Sequence, residues 1–271
     1  MKALLLARGL GRRMQAAGEA AAALTAAQRT AAAAGAKGMM PIGVGERPFL
    51  DHVLSALADA GCGDVCLVVA PDHEAICRYF SGPGQPARVR LSYAVQDSAE
   101  GTAHAVLAGQ AFAGGDPFLV LNADNLYPAG VLRALVALDG PGLPAFEREA
   151  LVRDSGFPAD RVAGFALLDV DGDGHLRGVI EKPSAAQLAA AGPRALVSMN
   201  VWRFDPRIFR ACADVPRSAR GEFELPEAVS LAVATGTTFQ VIRAHGAVLD
   251  LSNQGDVALV TARLAGMEPH P

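Results

Sequence analysis

Apolar and polar positions along this chain fall into two alternating periods. Short apolar runs at residues 3–7, 65–70, 89–95, 118–122, 162–170, 176–181, 197–204 and 238–243 have the length of strands. Where such a run is apolar at consecutive positions, it is expected to be buried on both faces, as in a parallel sheet. Between the first two runs, Leu50, Val53, Leu54 and Leu57 recur at helical spacing, and further helical patterns cover 103–112, 131–138, 226–234 and 256–265. Strands alternating with helices predict an α/β fold, a mixed, mainly parallel sheet with helices on both faces. Residues 15–36 are alanine-rich, and a surface helix is their best local conformation. No repeat or long linker divides the 271 residues, so a single domain over 1–271 is expected.

Composition narrows the class. With 51% hydrophobic and 19% charged residues the chain can build a large core, and a net charge of −4 speaks against a general nucleic-acid binder. No apolar run approaches a membrane span. Arg8, Arg12 and Arg13 interrupt the N-terminal apolar run, which therefore does not read as a signal peptide. The four cysteines form no CxxC pair, so zinc is not expected and reduced thiols in a cytoplasmic protein are.

The most informative stretch is Lys2 to Met14. Its apolar strand ends at Ala7, Gly9 and Gly11 break it, and Arg12 and Arg13 follow. A strand that turns through glycines and cations into a helix is built to hold phosphate on backbone N–H groups, with guanidinium charge beside them. Met14 stands where a dinucleotide fingerprint needs its third glycine, and no GxxxxGK[ST] occurs. The run from Asp169 to Gly174 begins like a calcium loop, but its twelfth position is Ile180 rather than glutamate. A β-hairpin turn explains it.

Four later segments extend the pattern: Lys37 ahead of Met40-Pro41; Gln96 followed by Gly101-Thr102-Ala103; the strand 118–122 leading to Asp124; and Glu181-Lys182-Pro183. In this order they resemble the sugar-1-phosphate nucleotidylyltransferases (NDP-sugar pyrophosphorylases). That family carries a GxGxR loop, a lysine, a Q…GTA segment, a strand-end metal aspartate and an EKP. The resemblance spans about residues 2–256.

It implies a Rossmann-like three-layer α/β/α sandwich, with a nucleotide-binding half at about 1–140 and a sugar-binding half at about 141–271. It also implies roles. Arg13, Lys37, Asp124 and Lys182 are the catalytic set. Ala7, Gly9, Gly11, Arg12, Gln96, Gly101 and Thr102 face the nucleotide, with Thr102 expected to N-cap the following helix. Gly164, Glu181, Asn200 and Glu222 line the sugar, Asn200 replacing a glycine common in the family. Asp124 and Asp250 would hold Mg²⁺, a hard cation that prefers oxygen ligands and phosphates. A glutamine amide can pair with the donor–acceptor edge of uracil or thymine, which favours UTP or dTTP. His104 is given no role.

The implied reaction joins a nucleoside triphosphate to a sugar 1-phosphate, giving an NDP-sugar and pyrophosphate. No nucleic-acid or membrane partner is expected, and self-association is compatible with the family. Arg8 and Arg12 depart from the family's small residue and Thr or Ser. They motivate a second reading, a regulatory homologue on the same fold that binds nucleotide without releasing pyrophosphate.

Overall fold

Leu4 packs into one apolar layer, while its neighbours Ala3 and Leu5 pack into the other. The same alternation divides Val65, Leu67 and Val69 from Cys66 and Val68, and Leu119 and Leu121 from Phe118 and Val120. Successive strand side chains point to opposite faces, so strands that are apolar throughout require cover on both. The computed structural model describes residues 1–9, 11–16 and 22–271.

The strands, in chain order, are β1 (Lys2–Leu6), β2 (Pro41–Ile42), β3 (Arg47–Pro48), β4 (Asp64–Val69), β5 (Arg90–Val95), β6 (Phe118–Asn122), β7 (Asn125–Leu126), β8 (Gly142–Glu147), β9 (Leu167–Val170), β10 (Leu176–Ile180), β11 (Leu196–Val197), β12 (Val201–Phe204), β13 (Gln240–Ala244) and β14 (Leu249–Asp250). The main sheet runs β10-β9-β11-β8-β12-β6-β1-β4-β5, with β13 also paired to β8. It is mixed, with β6, β1, β4 and β5 forming a parallel block. β12 joins that block antiparallel, Val201 opposite Leu121 and Phe204 opposite Phe118.

The helices are α1 (Arg12–Gln15), α2 (Ala26–Ala33), α3 (Phe49–Asp59), α4 (Glu74–Phe80), α5 (Thr102–Ala108), α6 (Gln110–Ala113), α7 (Ala129–Val136), α8 (Arg148–Ala150), α9 (Ala159–Ala163), α10 (Ala185–Ala191), α11 (Ile208–Asp214), α12 (Leu225–Ala234) and α13 (Gln254–Arg263). One face of the sheet is covered by α3, α7 and α13 through Phe49, Leu54, Leu135 and Val260. The other is covered by α5, α11 and α12 through Val106, Phe209 and Val229. Each such side chain, fully buried, contributes about 1.5–3 kcal/mol.

Three expectations need correction. Residues 162–166 are not strand: α9 occupies Ala159–Ala163 and the strand begins at Leu167. Pro158 at the N-cap and a buried role for Arg161 favour a helical turn there. The run 197–204 is two strands, broken at Asn200, whose φ of 57° lies in the left-handed region. β8 carries no strand signal because Pro144 lacks an N–H for a ladder. On one flank β12 pairs with β8 at Gly142 and β11 at Phe146 and Glu147, with Pro144 between them, while β13 sets Ile242 opposite Pro144 on the other flank. In the alanine-rich range, α2 begins at a capping box of Thr25 and Gln28 and buries Gln28 and Ala32. Positions 17–21 lie outside the described residues. β9 and β10 form the expected hairpin, its turn held by Asp171 Oδ1 accepting from the N–H groups of Asp173 and His175.

Candidate active site

The carboxyl ends of β1, β4, β5 and β6 share one edge of the sheet, the edge at which open α/β sheets bind ligands. Ala7 leaves β1 with its N–H on Val68 O at 2.8 Å. Gly9 is exposed with open space around its α-carbon. Gly11 has φ +61°, and a Cβ there would meet Gly35 O at 2.3 Å, so only glycine fits. Gly11 caps α1, whose Arg12 and Arg13 are exposed and make no ion pair among the described residues. Buried Met14 anchors the turn, its carbonyl accepting from Gln254 Nε2 at 2.8 Å.

Asp124 lies two residues beyond the end of β6. Ala123 N donates to Leu6 O at 3.1 Å, which places Asp124 beside the glycine turn. Lys37 Nζ lies 2.7 Å from Asp124 Oδ2, both side chains largely buried at 16% and 22% exposure. The short ladder of β14 on β7 sets Asp250 opposite Asn125, and Leu251 N donates to Asp124 O at 2.9 Å. The late segment thus brings Asp250 beside Asp124. Burial, followed by the Asp124 charge, pushes the Asp250 carboxyl above its ordinary value, opposed by Arg161.

Arg161 is a group that sequence reasoning did not reach. From α9 it pairs with Asp250 Oδ2 at 2.9 Å and Asp256 Oδ1 at 2.6 Å, over the Phe157 ring at 4.9 Å. Asp256 in turn accepts from Ser252 N and Asn253 N at the start of α13. Nothing in the stretch around Arg161 distinguishes it from a surface arginine. Tyr127, also unforeseen, is buried beside this cluster and donates to Met199 O at 2.6 Å. Burial, then Asp124 and Asp250, raise its pKa well above the ordinary value.

Mg²⁺ can be tested against these atoms. Among the described residues buried Asp250 Oδ1 has no hydrogen-bond partner, and two carboxylates stand close enough to repel. Among the described residues no third His, Cys, Asp or Glu joins them. A pair of hard oxygen donors with few protein ligands fits Mg²⁺, which completes its shell with water and phosphate.

Gln96 follows β5 and is buried at 3% exposure. Its Nε2 lies 3.0 Å from Gly101 O and 3.1 Å from His104 Nδ1. Arg8 turns towards the same loop, donating through Nε to Gln96 O at 2.9 Å and through Nη2 to Asp97 O at 3.3 Å. Thr102 is not the N-cap of α5. Gly101 takes that place, and the Thr102 hydroxyl accepts from Leu225 N at 2.9 Å. The capping is done by the chain itself, because Ala103 N donates to Phe223 O. That close approach also explains Gly101, whose Cβ would lie 2.4 Å from Phe223 O.

The segment that covers this loop carries the remaining carboxylates. Glu222 is exposed, whereas Glu224 is buried and ion-paired to Arg220. Burial and the Glu224 charge raise the pKa of Glu181. Glu224, and more weakly Glu227, are therefore the carboxylates whose charge Glu181 feels, and the alternation in Glu222-Phe223-Glu224 could have signalled Glu224 rather than Glu222. Lys182 is exposed with φ 46°, uncommon for a lysine. Gly164 caps the C-terminus of α9 with φ −86°, where no left-handed backbone demands glycine. Position 200 does need a residue tolerant of positive φ, and asparagine meets that need.

A glycine turn, exposed arginines and a carboxylate pair thus lie together at the carboxyl edge of a parallel block. The chain matches the nucleotidyl transferase family over residues 31–251, and it belongs to that family. The expected kinship with sugar-1-phosphate nucleotidylyltransferases is borne out. It is 29% identical over 233 residues to the UTP–glucose-1-phosphate uridylyltransferase AglF of Haloferax volcanii, covering 81% of this chain and 84% of that one. It is 28% identical over 279 residues to a glucose-1-phosphate thymidylyltransferase of Streptomyces antibioticus, covering 99% of this chain and 68% of the relative. A UDP-glucose pyrophosphorylase solved with UDP-glucose superposes with a TM-score of 0.73 at 18% identity, over 97% of each chain. A UTP-bound UGPase from Acinetobacter baumannii gives 0.74 at 18% identity, over 99% of this chain and 94% of the other. These two likenesses establish the expected fold.

Proposed function

We propose that this chain transfers a nucleotidyl group from a nucleoside triphosphate, UTP or dTTP, to a sugar 1-phosphate, releasing pyrophosphate. The observation that carries the reading is the Lys37–Asp124 pair beside Asp250 and next to the glycine turn. Two phosphate-bearing substrates repel each other, and this edge gathers the cations that bring them together.

In the reaction, a phosphate oxygen of the sugar 1-phosphate bonds to the α-phosphorus as the bond to the β-phosphate oxygen breaks. No protein nucleophile is required, so catalysis rests on positioning and charge stabilisation. Ala7, Gly9 and Gly11 give the phosphates close backbone access, and Arg12 and Arg13 face the β- and γ-phosphates. Lys37 lies by the α-phosphate and Lys182 grips the sugar phosphate. Gln96 and Gly101 meet the base, with Thr102 bracing the loop. Glu181, Gly164, Asn200 and Glu222 line the sugar, now joined by Glu224. Asp124 and Asp250 would hold Mg²⁺, which neutralises triphosphate charge when bound. A cytoplasmic location accompanies this reading, in keeping with four unpaired cysteines. No described helix is long and apolar enough to cross a membrane. Self-association is left to measurement.

The test is pyrophosphate release from UTP or dTTP with a panel of sugar 1-phosphates and Mg²⁺. Release that needs both substrates supports the reading. Nucleotide binding with no release across the panel overturns it in favour of the regulatory homologue.

A further inference from the structure

Gly101 O can only accept a hydrogen bond, so the Gln96 amide atom 3.0 Å from it must be the nitrogen. That same nitrogen lies 3.1 Å from His104 Nδ1. Nδ1 must therefore accept, and the neutral ring carries its proton on Nε2. Both amide hydrogens are then engaged within the protein. Among the described residues Oε1 has no donor, although the residue is only 3% exposed. The backbone beneath is fixed too: Gln96 N donates to Val69 O at 2.9 Å, and Arg8 holds the carbonyls of Gln96 and Asp97. A glutamine amide without such contacts rotates between two orientations.

We propose that His104 is a positioning residue for base selection, holding the Gln96 amide so that Oε1, an acceptor, is the atom offered to the nucleobase. This rests on the nucleotidylyltransferase reading above. Uracil and thymine carry N–H at ring N3, which an acceptor matches. Cytosine has the same size but a bare N3, so in the same pose lone pair would face lone pair. The locked amide selects UTP or dTTP over CTP. Without His104 only the Gly101 carbonyl holds the amide nitrogen, so the amide turns more readily and can present N–H to cytosine.

The experiment compares wild type, His104→Leu and His104→Asn. The readouts are kcat and KM for UTP and CTP at saturating sugar 1-phosphate, and calorimetric binding of both nucleotides. Asparagine is the conservative variant, since its Oδ1 can accept where Nδ1 did. Wild type is expected to prefer UTP. His104→Leu should lower the UTP:CTP ratio about tenfold or more, chiefly through KM for UTP, with kcat nearly unchanged. His104→Asn should restore it. An unchanged ratio in His104→Leu, or an equal loss in His104→Asn, overturns the proposal. So does wild-type binding of CTP as tight as UTP, which decides the matter even if His104→Leu fails to fold. Absence of turnover in wild type would strike the proposed function alone, because the binding ratio still reports on the clamp.

Discussion

Replacing Arg161 by methionine keeps an apolar stem over Phe157 and removes the charge shared by two aspartates. The three side chains are 16%, 11% and 14% exposed, so little water can take the place of the guanidinium. Removing one partner of a buried pair costs about 3–5 kcal/mol, because the remaining charge stays buried. Asp256 keeps its two backbone donors. Asp250 is left facing Asp124, and the loss should therefore fall mainly on Asp250. At about 3 °C per kcal/mol, the melting temperature should drop by roughly 10 °C. Thermal unfolding followed by circular dichroism checks this, with and without Mg²⁺. A cation held by Asp124 and Asp250 stabilises the folded chain by mass action, and the variant should gain more from it than wild type. A drop under about 3 °C, or no larger gain from Mg²⁺, would refute the reasoning that Arg161 is what makes this carboxylate cluster tolerable.

Asp124→Asn should reduce pyrophosphate release by ~100-fold or more; retained turnover would contradict the metal assignment. Gly101→Ala places a methyl group 2.4 Å from Phe223 O at φ +111°. It should weaken nucleotide binding and cost at least about 1–3 kcal/mol of stability in urea unfolding. All three tyrosines resist ionisation: burial pushes Tyr79 and Tyr93 up to about 12 and Tyr127 well above 10. Their folded pKa values exceed the unfolded ones, so this stability is full below about pH 10 and is lost as pH rises through 12. Absorbance at a phenolate wavelength should stay flat near pH 10 in the native protein, and one tyrosine titrating there would contradict it.

The fold was legible wherever a strand is apolar at every position, as in β1, β4 and β6, because burial on both faces leaves no other pattern. It was illegible where tertiary context overrode local chemistry. Pro144 hid β8, and the run from Val162 to Ala166 read as strand although Arg161 is tied into a helix by Asp250 and Asp256. In the site, Arg13, Lys37, Asp124 and Lys182 stood out because their spacing matches a known order of motifs. Arg161, Glu224, Tyr127 and His104 did not, since each acquires its role from a partner remote in sequence or from the end of a loop. Thr102 was assigned a local capping task that a distant carbonyl performs instead.

The placement of β12 between β6 and β8 constrains how the protein can be made. A nascent chain that has emerged only through residue 140 holds β6 with one flank bare, an apolar ribbon open to other chains. Its cover arrives with residues 201–204, and Asp250 later still. Long-range pairing of this kind slows folding, so the two halves cannot be expressed apart and later mixed without a period in which the first invites aggregation.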